Sequence, residues 1–240
     1  LSVQAIEAGQ SGRRRRTSFF FVMALLMIAA SAYGFSRTIG PSLLHAPPPV
    51  PAILWVHAAV FILWLVLFAV QAALVQARQV RMHRALGLST LALGAALPIT
   101  GVWVTIATTR MNPQHATDGS DPFMLVLFGS MLVFAVLFGL GAAYRRRAEA
   151  HRRLMFMATA SLTAAAFIRY PSWLVPDGWF NACADALILC GAGWDLLVIH
   201  RVHPAYIGGL AFVVVEQVAT ARLGNTAGWL SLAHTLLGSG

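Results

Sequence analysis

The feature that most constrains this chain is a series of long apolar runs, separated by short segments in which arginines cluster. A hydrocarbon core about 30 Å thick is crossed by roughly 20 apolar residues in a helix. Backbone polar groups inside lipid must be satisfied within the segment, so long runs without strong alternation predict helices and not barrel strands. Composition agrees. Of 240 residues, 58% are apolar and only 10% charged, and the mean hydropathy is +0.72, whereas a soluble domain carries about 25% charged residues. The expected fold is all-α: a polytopic transmembrane helical bundle of about seven spans.

The spans are expected near 18–37, 51–77, 84–108, 122–144, 152–171, 179–200 and 204–222. Residues 1–17 form a basic N-terminal tail, 18–222 the bundle, and 223–240 an amphipathic surface segment centred on Thr226–Leu237. Arg13–Arg16 before Phe19–Ala32 resembles the start of a signal peptide, with Ala30-Ser31-Ala32 as a small-x-small site; an uncleaved first span is the reading adopted. Gly40–Pro51, with His45 and Pro47-Pro48-Pro49, cannot be helical and reads as a stiff linker. Pro113, Pro122, Pro171, Pro176 and Pro204 mark other span ends.

Arginine asymmetry sets the expected orientation. Arg13–Arg16, then Arg78, Arg81 and Arg84, then Arg145–Arg147, Arg152 and Arg153, then Arg201 fall on one side; Arg37, Arg110, Arg169 and Arg222 fall on the other. The N-terminus is therefore expected in the cytoplasm of a bacterial cell, the bundle in its inner membrane, and Trp55, Trp103, Trp173, Trp179 and Trp229 near the outer boundary. The formal charge of +9 follows from arginines placed at anionic headgroups, not from nucleic-acid binding. With no lysine in the chain, Schiff-base chemistry is excluded. Cys183 and Cys190 share a helix face about 10 Å apart, too far for a disulfide, and read as packing residues. Small residues in the third span (Gly87, Ser89, Gly94, Ala95) and the fifth (Ala158, Ser161, Ala164, Ala165) predict that these two are central.

Ionisable groups at membrane depth are costly and mark function. His57, Asp185 and Glu216 each fall six residues from a span boundary, roughly 9 Å deep at 1.5 Å per residue, so three helices place them in one outer layer. Arg169 ends the fifth span close above it, and Asn181 and Gln217 are near in sequence. Either Arg169 pairs with Asp185 or Glu216 in a closed network, or the layer holds a divalent metal, a proton or a small polar substrate. His57, Trp64 and Gln71 form the bundle-facing stripe of the second span. A second layer at the cytoplasmic face holds His83, His151, Asp195, His200 and His203. Paired histidines there are of the type that ligates a b haem; solvated loop histidines are the plainer reading. Asp195 is expected to pair with Arg84, Arg152 or Arg153. No P-loop, dinucleotide fingerprint, HExxH or nucleophile elbow is present, and no catalytic residue can be named.

Arg81-Met82-His83-Arg84 echoes Glu149-Ala150-His151-Arg152, as a duplicated hairpin would. The run from His57 through Gln71 and Arg78 to Met82-His83-Arg84-Ala85-Leu86-Gly87, with His151-Arg152-Arg153-Leu154-Met155 and Asp195 followed by Arg201-Val202-His203-Pro204, resembles a widespread family of uncharacterised bacterial multi-pass hypothetical membrane proteins, over about residues 50–230. A fainter likeness is to cytochrome b-type membrane families, whose deep second histidine of each haem pair has no clear counterpart here. The leading expectation is a membrane subunit or accessory component of a larger complex, redox or energy-converting in kind, with the lipid bilayer and other membrane-protein subunits as partners. The alternatives are a redox enzyme bearing haem b or a divalent metal, and a small proton-coupled transporter using the His57, Asp185 and Glu216 layer.

Overall fold

The computed structural model describes residues 3–38, 50–111 and 121–237, with side chains for 18–38, 50–111 and 122–237. His45, Pro47-Pro48-Pro49, Pro113 and His115 lie outside the described residues. Every regular element among the described residues is an α-helix: α1 (Val3–Thr38), α2 (Ala52–Gln76), α3 (Val80–Met111), α4 (Asp121–Ala143), α5 (Ala148–Leu162), α6 (Ala164–Phe167), α7 (Phe180–Ile199), α8 (Pro204–Leu223) and α9 (Ala227–Leu237). Six of them, Ser18–Thr38 within α1, α2, α3, Pro122–Ala143 within α4, α7 and α8, are long and apolar enough to cross a membrane. The chain is a multi-pass helical membrane protein.

Proline sets several of the ends. Pro51 is the N-cap of α2 with φ −63°. Pro204 opens α8, where the missing N–H costs nothing because the first turn leaves it unpaired in any case. Arg78 after α2 and His200 at the end of α7 terminate their helices in the left-handed region, with φ of 61° and 56°.

The six apolar helices surround α5 and α6. Neighbour packs on neighbour in the order α1, α2, α3, α4, α8, α7, and Phe19 of α1 stacks on Trp194 of α7 at 4.9 Å between ring centroids to close the ring. Inside it, every residue from Arg153 to Ala160 of α5 is buried. A helix shielded from lipid on all sides need not be apolar, and α5 carries Arg153, Thr159 and then Thr163 at full burial. The fifth expected span is therefore interrupted: α5 stops after 15 residues and four more form α6. At the break the Thr163 hydroxyl donates to the Ala160 carbonyl at 2.6 Å.

Lipid is as apolar as leucine, so packing and close backbone approach hold such a bundle together. Trp64, fully buried, meets Phe134 and Phe138 edge-on at 5.1 and 5.5 Å. Gly34 of α1 lies against the backbone of Ala166 in α6, where a Cβ would collide with the carbonyl oxygen. Of the fifth run's small residues, Ala158 and Ala164 are buried and Ser161 and Ala165 half-buried, but α3 is not central. It sits in the ring, and only its Gly94 among those four small residues is buried, with Ser89 and Ala95 exposed. Cys190 is likewise exposed, Cys183 half-buried, and both are free. The C-terminal α9 packs on α4 and α3, with Trp229 edge-on to Phe128 at 6.0 Å.

Candidate functional site

Asp185 and Glu216 come together. Asp185, on α7, accepts hydrogen bonds from the Gln217 amide on α8, 3.1 Å to each carboxylate oxygen. Both carboxylates line one cavity, together with Asn181 of α7, Gln217 of α8, Ser130 of α4 and Ser161 of α5. About 20 Å³ is open to the centre of a water molecule, room for one water among several polar partners. The serines return their protons to their own helices, Ser130 to the Val126 carbonyl and Ser161 to that of Ala158, both at 2.9 Å. Their oxygens therefore face the cavity as acceptors.

Glu216 reaches this place because α4 offers no side chain at Gly129, where a Cβ would collide with Glu216 Oε1. That oxygen is buried and has no hydrogen-bond partner among the described residues. Among the described residues no arginine or histidine lines the cavity. A carboxylate at membrane depth is costly unless it is paired or protonated.

The other two members of the expected outer layer face elsewhere. His57 of α2 bonds through Nδ1 to the Thr100 hydroxyl of α3 at 3.0 Å, while the cavity is built by α4, α5, α7 and α8. His57, Trp64 and Gln71 do share the inward stripe of α2: Trp64 and Gln71 are buried, and the Gln71 amide donates to Thr90 at 2.8 Å. Arg169 does not pair with Asp185 or Glu216. Its guanidinium donates to the Ala165 carbonyl and lies over the Phe35 ring of α1, 4.5 Å from the centroid. Beyond the break at Thr163, α6 packs between α1 and α7. Among the described residues no group of three or more His, Cys, Asp or Glu side chains gathers as a metal site, so the expected one-His, two-carboxylate ligand set is not assembled.

At the arginine-rich end, Asp195 pairs with Arg153, one of the three arginines expected for it. Arg153 Nε and Nη2 each donate to one Asp195 oxygen at 2.6 Å, and Nη1 donates to the Glu149 carboxylate and main-chain carbonyl at 2.7 Å. The bidentate fork is fully buried on the arginine side. The His203 amide donates to Asp195 Oδ2 at 3.3 Å, and the His203 ring accepts the Ala205 amide at 3.1 Å as the N-cap of α8. Burial first, then the Arg153 charge, pushes the His203 imidazole below its ordinary pKa, against the pull of Asp195 and Glu149. Every charge in this network is matched, so it anchors α5, α7 and the start of α8. His200 is exposed and caps α7. His83 and His151, on the first turns of α3 and α5, stand with ring centroids 6.3 Å apart.

Sequence reasoning missed Gly129, Ser130 and Ser161. The Gly-Ser pair in the middle of an otherwise apolar run in α4 is the one signal that points to Gly129 and Ser130, and Ser161 was read only as a small packing residue. No family model matches the chain, and neither a curated protein nor a solved structure matches it.

Proposed function

We propose that this integral membrane protein is a small proton-coupled carrier of the bacterial inner membrane, with the Asp185 and Glu216 cavity as its proton-binding site. The observation that carries this reading is the convergence of two carboxylates, two amides and two hydroxyl oxygens from four helices on one water-sized space without a basic residue. Proton exchange requires an ionisable group that is not locked to a fixed counter-charge. Asp195 is locked in this way by Arg153; Asp185 and Glu216 are not. The reading as a subunit of a larger complex rests on the lack of a substrate device, whereas the carrier reading is supported by this cavity.

The topology belongs to the same proposal. The α5 and α6 run, 20 residues from Ala148 to Phe167, is about 30 Å long at 1.5 Å per residue and serves as the seventh crossing. Its polar residues are tolerated because α5 faces protein. With seven crossings and the arginine clusters on the cytoplasmic side, the N-terminus lies inside and α9 outside. The cavity then sits toward the outer half, since Asn181 and Asp185 lie in the first turns of α7.

The test is proton flux into phosphatidylethanolamine and phosphatidylglycerol vesicles holding the purified protein and a pH-sensitive dye. On an external acid jump, wild-type vesicles acidify faster than protein-free ones, and D185N and E216Q lose the difference. Equal rates in all four samples would overturn the proposal.

A further inference from the structure

His83 and His151 occupy equivalent positions on two helices that start at the same end of the bundle, as the repeated His-Arg pair in the sequence implies. Their rings stand nearly perpendicular, at 80°. The His151 Nδ1–H donates to the Gly141 carbonyl at 2.8 Å, which fixes the tautomer and leaves the Nε2 lone pair free. The His83 ring faces the Gln71 main-chain carbonyl, while its Nδ1 is buried and has no partner among the described residues. Each imidazole is thus oriented by a backbone carbonyl and keeps one nitrogen unused. Anchoring of the second ring nitrogen on a carbonyl is how proteins orient metal-ligating histidines.

A structural role leaves the unused nitrogens unexplained. An imidazole that only packs has no need of a fixed tautomer, and a buried nitrogen without a partner costs free energy. Two imidazole nitrogens bound to one metal, each at about 2.0–2.1 Å, place the ring centroids about 6 Å apart when they lie on opposite sides of it. Gly87, one turn beyond His83 on the same face of α3, leaves open space where a side chain would stand.

We propose that His83 and His151 are the two protein ligands of a transition-metal centre at the arginine-rich end of the bundle, distinct from the carboxylate cavity. The shared chemistry is coordination by two neutral imidazoles. The metal comes either as a free divalent ion, its other positions filled by water, or as iron carried in a porphyrin. Arg84 acts electrostatically on His83, and this positive setting suits a metal that brings negative charge with it.

The experiment adds Cu2+ alone, or hemin alone, to metal-free full-length protein in detergent. Copper is followed by nitrogen hyperfine structure in electron spin resonance and hemin by its Soret band. Binding of either probe is expected, weakened about tenfold or more in both H83Q and H151Q and unchanged in H57A. Copper alone marks a free-ion site, and hemin alone a porphyrin iron site. Thermal melting identifies any variant that fails to fold, and for such a variant H83N or H151N is measured in its place; R84Q, which keeps both imidazoles, is expected to retain copper. Absence of binding by both probes, or binding that H83Q and H151Q leave unchanged, would overturn the proposal.

Discussion

Arg153 and Glu216 are both charged residues inside the bundle, and their surroundings divide their roles. Arg153 spends its donors on Asp195 and Glu149, whereas Glu216 keeps an unpartnered oxygen. Removing one member of a buried pair strands the other charge, so Arg153→Ala is expected to cost about 3–5 kcal/mol, read as a lowered melting temperature in detergent, with Asp195→Asn in the same background recovering part of it. His203 gives a pH-dependent prediction. Its ring is held below the ordinary imidazole pKa, so the unfolded chain takes up the proton first. Its contribution is fully present at neutral and alkaline pH and declines as pH falls below about 6.5. Protonation also removes the acceptor that caps α8. Asn is a good N-cap without a titrating group, so His203→Asn is expected to flatten this acid-side loss of thermal stability while leaving neutral-pH stability within about 1 kcal/mol. Residue counts put Asp185 and Glu216 at the same distance from their span ends, and both line one cavity. Azimuth around the bundle was not readable, and His57 fell on the α2–α3 side for that reason.

Among the elements, α5 and α6 decide the architecture. Their burial was foreshadowed by small residues, but those of α3 gave the same signal, because small residues report close packing and do not say on how many sides it occurs. The break at Thr163 was not legible either. A threonine hydroxyl bonded within its own helix is common in straight helices, and here the tight packing of α6 on α1 accompanies the bend. That packing makes its own prediction. The atom a Cβ at Gly34 would meet is backbone of Ala166, which cannot swing aside as a side chain does. Gly34→Ala is expected to destabilise the protein by about 1–3 kcal/mol, measured by thermal unfolding in detergent, while Gly87→Ala, with open space around it, changes it little.

For the whole molecule, the apolar runs and the prolines between them carried most of the fold, since lipid leaves a polypeptide few ways to satisfy its backbone. Ring order carried the site, and ring order depends on contacts among side chains that no local pattern encodes. Orientation is testable on intact cells in a cysteine-free background: Trp173→Cys, at a position 80% exposed, is expected to react with a membrane-impermeant maleimide, and Arg146→Cys to react only after lysis. The reverse labelling would invert the topology. The central claim, that Asp185 and Glu216 form a proton-exchanging site, is tested most directly by the pH-difference infrared spectrum of the protein in lipid. A carboxyl carbonyl signal is expected in the wild type, altered in D185N and again in E216Q, with Gly129→Ala shifting the Glu216 component. A spectrum identical in wild type, D185N and E216Q would contradict the account.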